Sequence, residues 1–224
     1  FIFLIFIPNV NAFELSSEKA VLYNMNENKI IYELNKNERT SIASLTKIMT
    51  TLVAIENIKD YNEKVTINYE MLKSLAEENA AVIGLKVGQS VTYNDLLYGM
   101  FLSSGADATR AIAISISGNE KKFVELMNIK AKELGMLNTN FENTVGLDDI
   151  NHYSTVNDVS IMLRTALKNS KFYEIFSSES YVFSDKSLTA YSTLKKTAKK
   201  YNYDVSYIIG AKTGFTYDAG KCLA

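Results

Sequence analysis

A chain of 224 residues, 47% hydrophobic and 22% charged, has enough apolar surface for one large core or two small ones. Its formal net charge of -1 gives no reason to expect a nucleic-acid partner. The single cysteine, Cys222, excludes an internal disulfide framework and a cysteine-based metal site, and the single histidine, His152, excludes a multi-histidine metal site and leaves any Ser-His-Asp triad dependent on one residue.

The chain opens on a continuous apolar run, Phe1 to Ile7, followed by Pro8, Asn9 and the small-residue pattern Val10-Asn11-Ala12. The run is too short to span a bilayer. Residues 1–12 read as the end of a secretory signal peptide cut after Ala12, lacking its basic start and initiator methionine. A buried strand or a short membrane anchor is the alternative. Lys19 to Met25 and Lys29 to Leu34 read as a β-hairpin turning at Asn26-Glu27-Asn28. A helix follows from about Ser44 to Asn57, with Leu45, Ile48, Met49, Leu52 and Val53 forming an apolar stripe. Val65-Thr66-Ile67 suits a short strand. Thr92 and Asp95 form a capping box ahead of the apolar face Leu96, Leu97, Met100 and Phe101. Further helices are expected from Ala106 to Ser115, from Glu120 to Leu134 with a stop at Gly135, and from Thr155 to Lys168. From Tyr181 the pattern turns β-like, and Tyr207-Ile208-Ile209 leads into Gly210-Ala211-Lys212-Thr213-Gly214. Strands, then helices, then strands predict one α+β domain over residues 13–224, its antiparallel sheet drawn from both chain ends and packed with helices, plus an all-helical subdomain. Lys195, Lys196, Lys199 and Lys200 read as a solvated face, Cys222 as a small buried residue, and His152 as a structural hydrogen-bonding residue in a polar loop.

Ser44 and Lys47 lie three apart at the start of the first helix, so both side chains can face one space beside the apolar stripe. A lysine kept neutral by burial can take a proton from a serine hydroxyl. The helix start adds free N–H groups that suit a developing oxyanion. The spacing alone is weak, because Ser16/Lys19 and Ser192/Lys195 repeat it. A capping serine with a solvated lysine is the plain alternative.

Two further pieces follow in order: Ser104-Gly105-Ala106 and Lys212-Thr213-Gly214. The set is associated with β-lactamases and penicillin-binding proteins. From about Glu18 onward the chain resembles the serine-type D-alanyl-D-alanine carboxypeptidases, the low-molecular-mass penicillin-binding proteins. The likeness is carried by Ile42-Ala43-Ser44-Leu45-Thr46-Lys47-Ile48-Met49-Thr50, by Asn143-Thr144-Val145-Gly146-Leu147 with His152-Tyr153-Ser154-Thr155 and Asp158, and by Gly210 to Thr216 with Ala219-Gly220. The resemblance implies a β-lactamase-like fold, Ser44 as nucleophile, Lys47 as its base, and Ser104 as proton carrier to the leaving amine. Lys212 and Thr213 would hold the substrate carboxylate, and the N–H groups of Ser44 and Phe215 would form the oxyanion hole. Gly214 leaves room for a peptide lying along the strand. It further implies peptidoglycan stem peptides ending in D-Ala-D-Ala as substrate, β-lactams as covalent inhibitors, no cofactor, no metal, and work on the cell-wall side of the membrane, with membrane contact only through segments absent here.

Two departures stand out. The family's asparagine at the third position of the second motif is Ala106 here, so its side-chain amide is missing unless Asp107 or a water replaces it. The family's catalytic domain also continues beyond the point matched by Ala224, so the catalytic domain is expected to be incomplete at its C-terminus. A class A β-lactamase is the nearest rival, needing a glutamate for deacylation, and Glu142 lies in the corresponding stretch. A non-catalytic peptidoglycan- or β-lactam-binding module is the rival of a different kind.

Overall fold

The structure, a computed structural model, describes residues 15–224. The signal-peptide reading of residues 1–12 lies outside the described residues. Strands β1 (Ala20–Asn24) and β2 (Lys29–Leu34) pair antiparallel. Their turn is closed by Asn24, whose Oδ1 accepts from the Asn26 and Glu27 N–H groups, and by Asn28, left-handed at φ 52°. A 3-10 turn, Ala43–Leu45, runs directly into helix α1 (Thr46–Asn57). Then come β3 (Lys64–Thr66), α2 (Tyr69–Leu72), β4 (Ser90–Thr92), α3 (Tyr93–Leu102), α4 (Ala106–Ser117), α5 (Glu120–Glu133), α6 (Val156–Ala166), α7 (Ser170–Ser177), β5 (Ser180–Val182), β6 (Thr189–Tyr191), α8 (Thr193–Tyr201), β7 (Thr213–Thr216) and β8 (Gly220–Leu223).

Helix α1 is the axis of the core. Helices α3, α4, α5, α6 and α7 all pack on it. Every residue from Thr46 to Ile55 is buried, so the helix is enclosed on all sides where the sequence pattern predicts only a stripe. Its polar residues can be buried because each finds a partner. Thr50 Oγ1 donates to Thr144 O at 2.7 Å and Thr51 Oγ1 to Lys47 O at 2.6 Å. Ile48, Met49, Leu52 and Val53 supply the apolar contacts, each fully buried side chain contributing about 1.5–3 kcal/mol.

The capping box at Thr92 and Asp95 is present, and Asp95 does more than cap. Its buried carboxylate also accepts from Tyr181 OH, Ser184 N and Ser184 Oγ, tying α3 to the β5–β6 hairpin. Thr155 caps α6 as expected. The stretch after Tyr181 differs from its β-like reading, because α8 intervenes, capped by Ser192 Oγ accepting from Lys195 N. Its four lysines lie on a strongly one-sided helix of which only Ala198 is buried, which hid the helix among polar residues. Tyr207-Ile208-Ile209 is not a strand, and Tyr207 and Ile209 are exposed.

The α+β class is borne out, with one difference in detail. The strands from the two chain ends do not join. Among the described residues β1 pairs only with β2 and β7 only with β8, in four separate two-stranded sheets. Short connections close β1–β2, β5–β6 and β7–β8 locally with little loop-closure entropy lost, whereas residues 67–89, including α2, join β3 to β4. Among the described residues no helix is long and apolar enough to cross a membrane.

Candidate active site

Ser44 sits in the 3-10 turn, half-buried, where the chain bends into α1. Ala43 before it is held at φ 46°, a left-handed conformation that alanine rarely adopts. Lys47 is one turn on and 2% exposed. Its Nζ donates to Ser44 Oγ at 3.1 Å and to Val145 O at 2.7 Å. Burial holds the Lys47 amine well below its ordinary value of 10.5; Lys212 nearby pushes the same way and Asp107 opposes them. The neutral amine that a base requires is therefore favoured.

Lys212 faces this pair from the strand side and is fully buried. Its Nζ donates to Ser104 Oγ at 3.0 Å and to Thr213 O at 2.9 Å. Burial brings it down to about 7. Ser104 links α3 to α4 and is left-handed at φ 58°. Thr213 is half-buried, and its Oγ1 lies 2.6 Å from Thr193 Oγ1. Lys212 thus points at Ser104, and Thr213 holds the more open position of the two.

Strand β7 lies against the 3-10 turn that holds Ser44. A Cβ on Gly214 would come within 3.0 Å of Ser44 N and 3.1 Å of Ala43 Cβ, so any side chain there would push the turn back by a few tenths of an ångström. Lys212 and Ala224 exchange both backbone hydrogen bonds. By the alternation of an antiparallel ladder, the pairs Gly214–Cys222 and Thr216–Gly220 are bonded likewise. The N–H of Phe215 is then directed away from β8, next in the chain to Gly214, which lies against Ser44. The Phe215 side chain itself is exposed.

The seven residues singled out in the sequence thus come together, and the other two Ser-x-x-Lys pairs do not. Ser16 is exposed, and Ser192 is a helix cap whose Lys195 pairs with Glu179 at 3.3 Å. Asp107 does not take the place of the missing amide at Ala106. Its carboxylate is turned to the loop ahead of it, accepting from Ile83 N, Gly84 N and Leu85 N at 2.8–3.0 Å. Ala106 instead packs in a small apolar cluster with Leu75 and Val145. Glu142 is exposed and its Oε1 accepts from Asn140 Nδ2 at 2.9 Å. His152 is buried with Nδ1 accepting from Glu142 N, so Nε2 carries the proton and donates to Thr46 Oγ1 at 2.8 Å.

Two contributors were missed from the sequence. The Val145 carbonyl is a main-chain group, signalled only by Asn143 and Gly146 forming the tight turn around it. Thr193 lay in a stretch read as strand. Among the described residues no cluster of three or more histidine, cysteine or acidic side chains could hold a metal ion.

Residues 7–224 match the family model described as D-alanyl-D-alanine carboxypeptidase, peptidase S11. The D-alanyl-D-alanine carboxypeptidase DacF of Bacillus subtilis is 37% identical over 215 residues, covering 92% of this chain and 53% of the relative. The D-alanyl-D-alanine carboxypeptidase DacA of Haemophilus influenzae is 33% identical, over 92% of this chain and 52% of its own length. The chain thus spans about half the length of these curated relatives. An alanine variant of the Streptomyces K15 DD-transpeptidase superposes with a TM-score of 0.83 at 30% identity, covering 94% of this chain and 85% of that one. Penicillin binding protein 5 of Haemophilus influenzae superposes with a TM-score of 0.80 at 32% identity, over 95% and 61% of the two chains.

Proposed function

The chain belongs to the D-alanyl-D-alanine carboxypeptidase family, peptidase S11, and from that premise we propose that it removes the terminal D-alanine from peptidoglycan stem peptides through an acyl-enzyme on Ser44. The observation that carries this is the buried Lys47 amine donating to Ser44 Oγ, beside a second buried amine bonded to Ser104.

Neutral Lys47 takes the Ser44 proton as Oγ attacks the carbonyl of the last peptide bond. The N–H groups of Ser44 and Phe215 receive the developing oxyanion. Ser104 hands a proton to the leaving D-alanine nitrogen and regains one from the Lys212 ammonium. Thr213, braced by Thr193, binds the terminal carboxylate, while Lys212 supplies positive potential from behind. Water then attacks the ester, giving its proton through Ser104 to the Lys212 amine left neutral, while the Lys47 ammonium returns its proton to Ser44 Oγ as the acid leaves, so both lysines and Ser44 regain their starting states. Penicillins present a similar carboxylate and a strained amide, so they acylate the same serine. Every proton transfer falls to a side chain, without a cofactor. The site is proposed to work on the cell-wall side of the membrane after export.

The test is D-alanine release from a synthetic stem peptide ending in D-Ala-D-Ala, followed against pH. Release should rise as Lys47 loses its proton, well below the ordinary lysine value, and vanish in Ser44→Ala. Binding of the peptide with no release would favour the non-catalytic module. Rapid turnover of penicillin would favour the β-lactamase reading, against which the exposed, outward-bonded Glu142 already speaks.

A further inference from the structure

The carbonyl that receives Lys47 belongs to a loop whose apolar anchor is Val145, packed with Ala106 and Leu75, and whose shape is set by polar groups. Asn143 Oδ1 accepts from the N–H groups of Val145, Gly146 and Leu147 at 2.7–3.2 Å and shapes the loop from within. Gly146, at φ +87°, sits so tightly on the nucleophile turn that a Cβ there would fall 1.9 Å from Ala43 O. A shift of this loop therefore moves both partners of Ser44.

The loop's outer hold is a single carboxylate. Glu120, in the first turn of α5, accepts from Thr144 N at 3.0 Å and from Thr144 Oγ1 at 2.6 Å, both on Oε1. Thr144 is fully buried, and its own carbonyl accepts from Thr50 of α1. Glu120 Oε2 is in turn 3.2 Å from Arg110 Nε, close enough for the charges though off the axis of a hydrogen bond. Arg110, on α4, is fixed on its other side by both oxygens of Glu78, at 2.8 and 2.9 Å, and by Lys73 O at 2.8 Å. A carboxylate paired with a guanidinium that is itself fixed is drawn toward it, and so it restrains the Asn143–Thr144 peptide and the Thr144 side chain, next to Val145.

We propose that Glu120 is a positioning residue for the general base: by gripping Thr144 it fixes the Val145 carbonyl that aims Lys47 at Ser44. This rests on the roles of Ser44 and Lys47 proposed above. Glu120 touches neither substrate nor the reacting atoms. Its effect is on the geometry of one proton transfer, and small misplacements there are expensive in rate.

The experiment measures penicillin acylation by stopped flow, separating non-covalent affinity from the acylation rate constant, for the folded protein and its variants. Glu120→Ala should lower the rate constant by about tenfold to a hundredfold while leaving the affinity nearly unchanged. Glu120→Gln keeps an oxygen acceptor for both Thr144 donors and should return the rate to within about fivefold of the parent. Rescue by glutamine of the rate constant alone is what a general loss of stability does not produce. A parent-like rate in Glu120→Ala, with labelling still lost in Ser44→Ala, overturns the positioning role and leaves the proposed reaction standing. Absence of labelling in the parent protein overturns both. If Glu120→Ala does not fold, Thr144→Val decides: it deletes one of the two grips, and a rate unchanged from the parent overturns the proposal.

Discussion

A lysine can serve as a base near neutral pH only if its surroundings disfavour the ammonium. Lys47 and Lys212 are both buried, and in both burial is the leading cause of the lowered value. The tasks proposed for them call for opposite states, neutral at Lys47 and charged at Lys212. With Lys212 at about 7 in the free protein, its charge fades as pH rises through 7. Acylation by a penicillin should therefore decline on the alkaline side, and more steeply than acylation by the corresponding methyl ester, because the ester has no carboxylate to attract and loses only the proton that Lys212 returns to Ser104. Equal alkaline declines for acid and ester would remove the carboxylate role from this part of the site. His152 gives a stability prediction. Burial lowers it from 6.5 to about 4. Between those values the unfolded chain binds the proton more readily, so stability is full above pH 6.5 and falls as pH drops toward 4. The integrated loss is about 3 kcal/mol at most, and thermal melts of His152→Gln should show a shallower acid dependence than those of the parent. Ala106 is the residue at which the family pattern and this chain part. Restoring one neutral hydrogen bond with Ala106→Asn is worth about 0.5–1.5 kcal/mol, or roughly two- to tenfold faster acylation. The amide must enter the cluster with Leu75 and Val145, so the melting temperature should fall in the same variant. Unchanged or slower acylation would mean that the apolar cluster, and not the missing amide, sets the rate.

Among the elements, α1 and the α3–α4 junction carry the site, and they show how much the sequence could reveal. The spacing of Leu45, Ile48, Met49, Leu52 and Val53 was enough to place α1, and the Thr92–Asp95 box was enough to start α3. These signals are local, and local signals survive without a fold. That α1 is buried on every side was not legible, because Thr46, Lys47, Thr50 and Thr51 become buriable only through partners such as Thr144 and His152, close to a hundred positions away. Helix α8 was missed for the converse reason: its apolar row is only Leu194, Ala198 and Tyr201, set among four lysines and two threonines. The loop at residues 83–85 depends on α4 in a way no local pattern reports. Three of its N–H groups end on the Asp107 carboxylate. Asp107→Ala should release this loop, raising amide exchange at Ile83, Gly84 and Leu85 and lowering stability by about 2–4 kcal/mol. Protection unchanged at those three amides would show that the loop is held by something else.

At the scale of the molecule, the 3-10 turn and α1 deliver Ser44 and Lys47, the proposed nucleophile and base, one junction delivers Ser104, and one hairpin closes over them with Lys212, Thr213 and Gly214. Three motifs separated by long stretches of sequence meet because α3 and α4 pack on α1 and β7 lies on the turn before it. The family motifs made that meeting legible, whereas composition and periodicity reached only the α+β class. The joining of the two end hairpins into one sheet was expected and is not found among the described residues. The central claim is that Ser44 is the nucleophile, and it is tested most directly by locating a covalent penicillin adduct with peptide mass spectrometry. The adduct is expected on Ser44, retained in Ser16→Ala and Ser192→Ala and lost in Ser44→Ala. An adduct that persists in Ser44→Ala, or folded parent protein that acquires none, would contradict it.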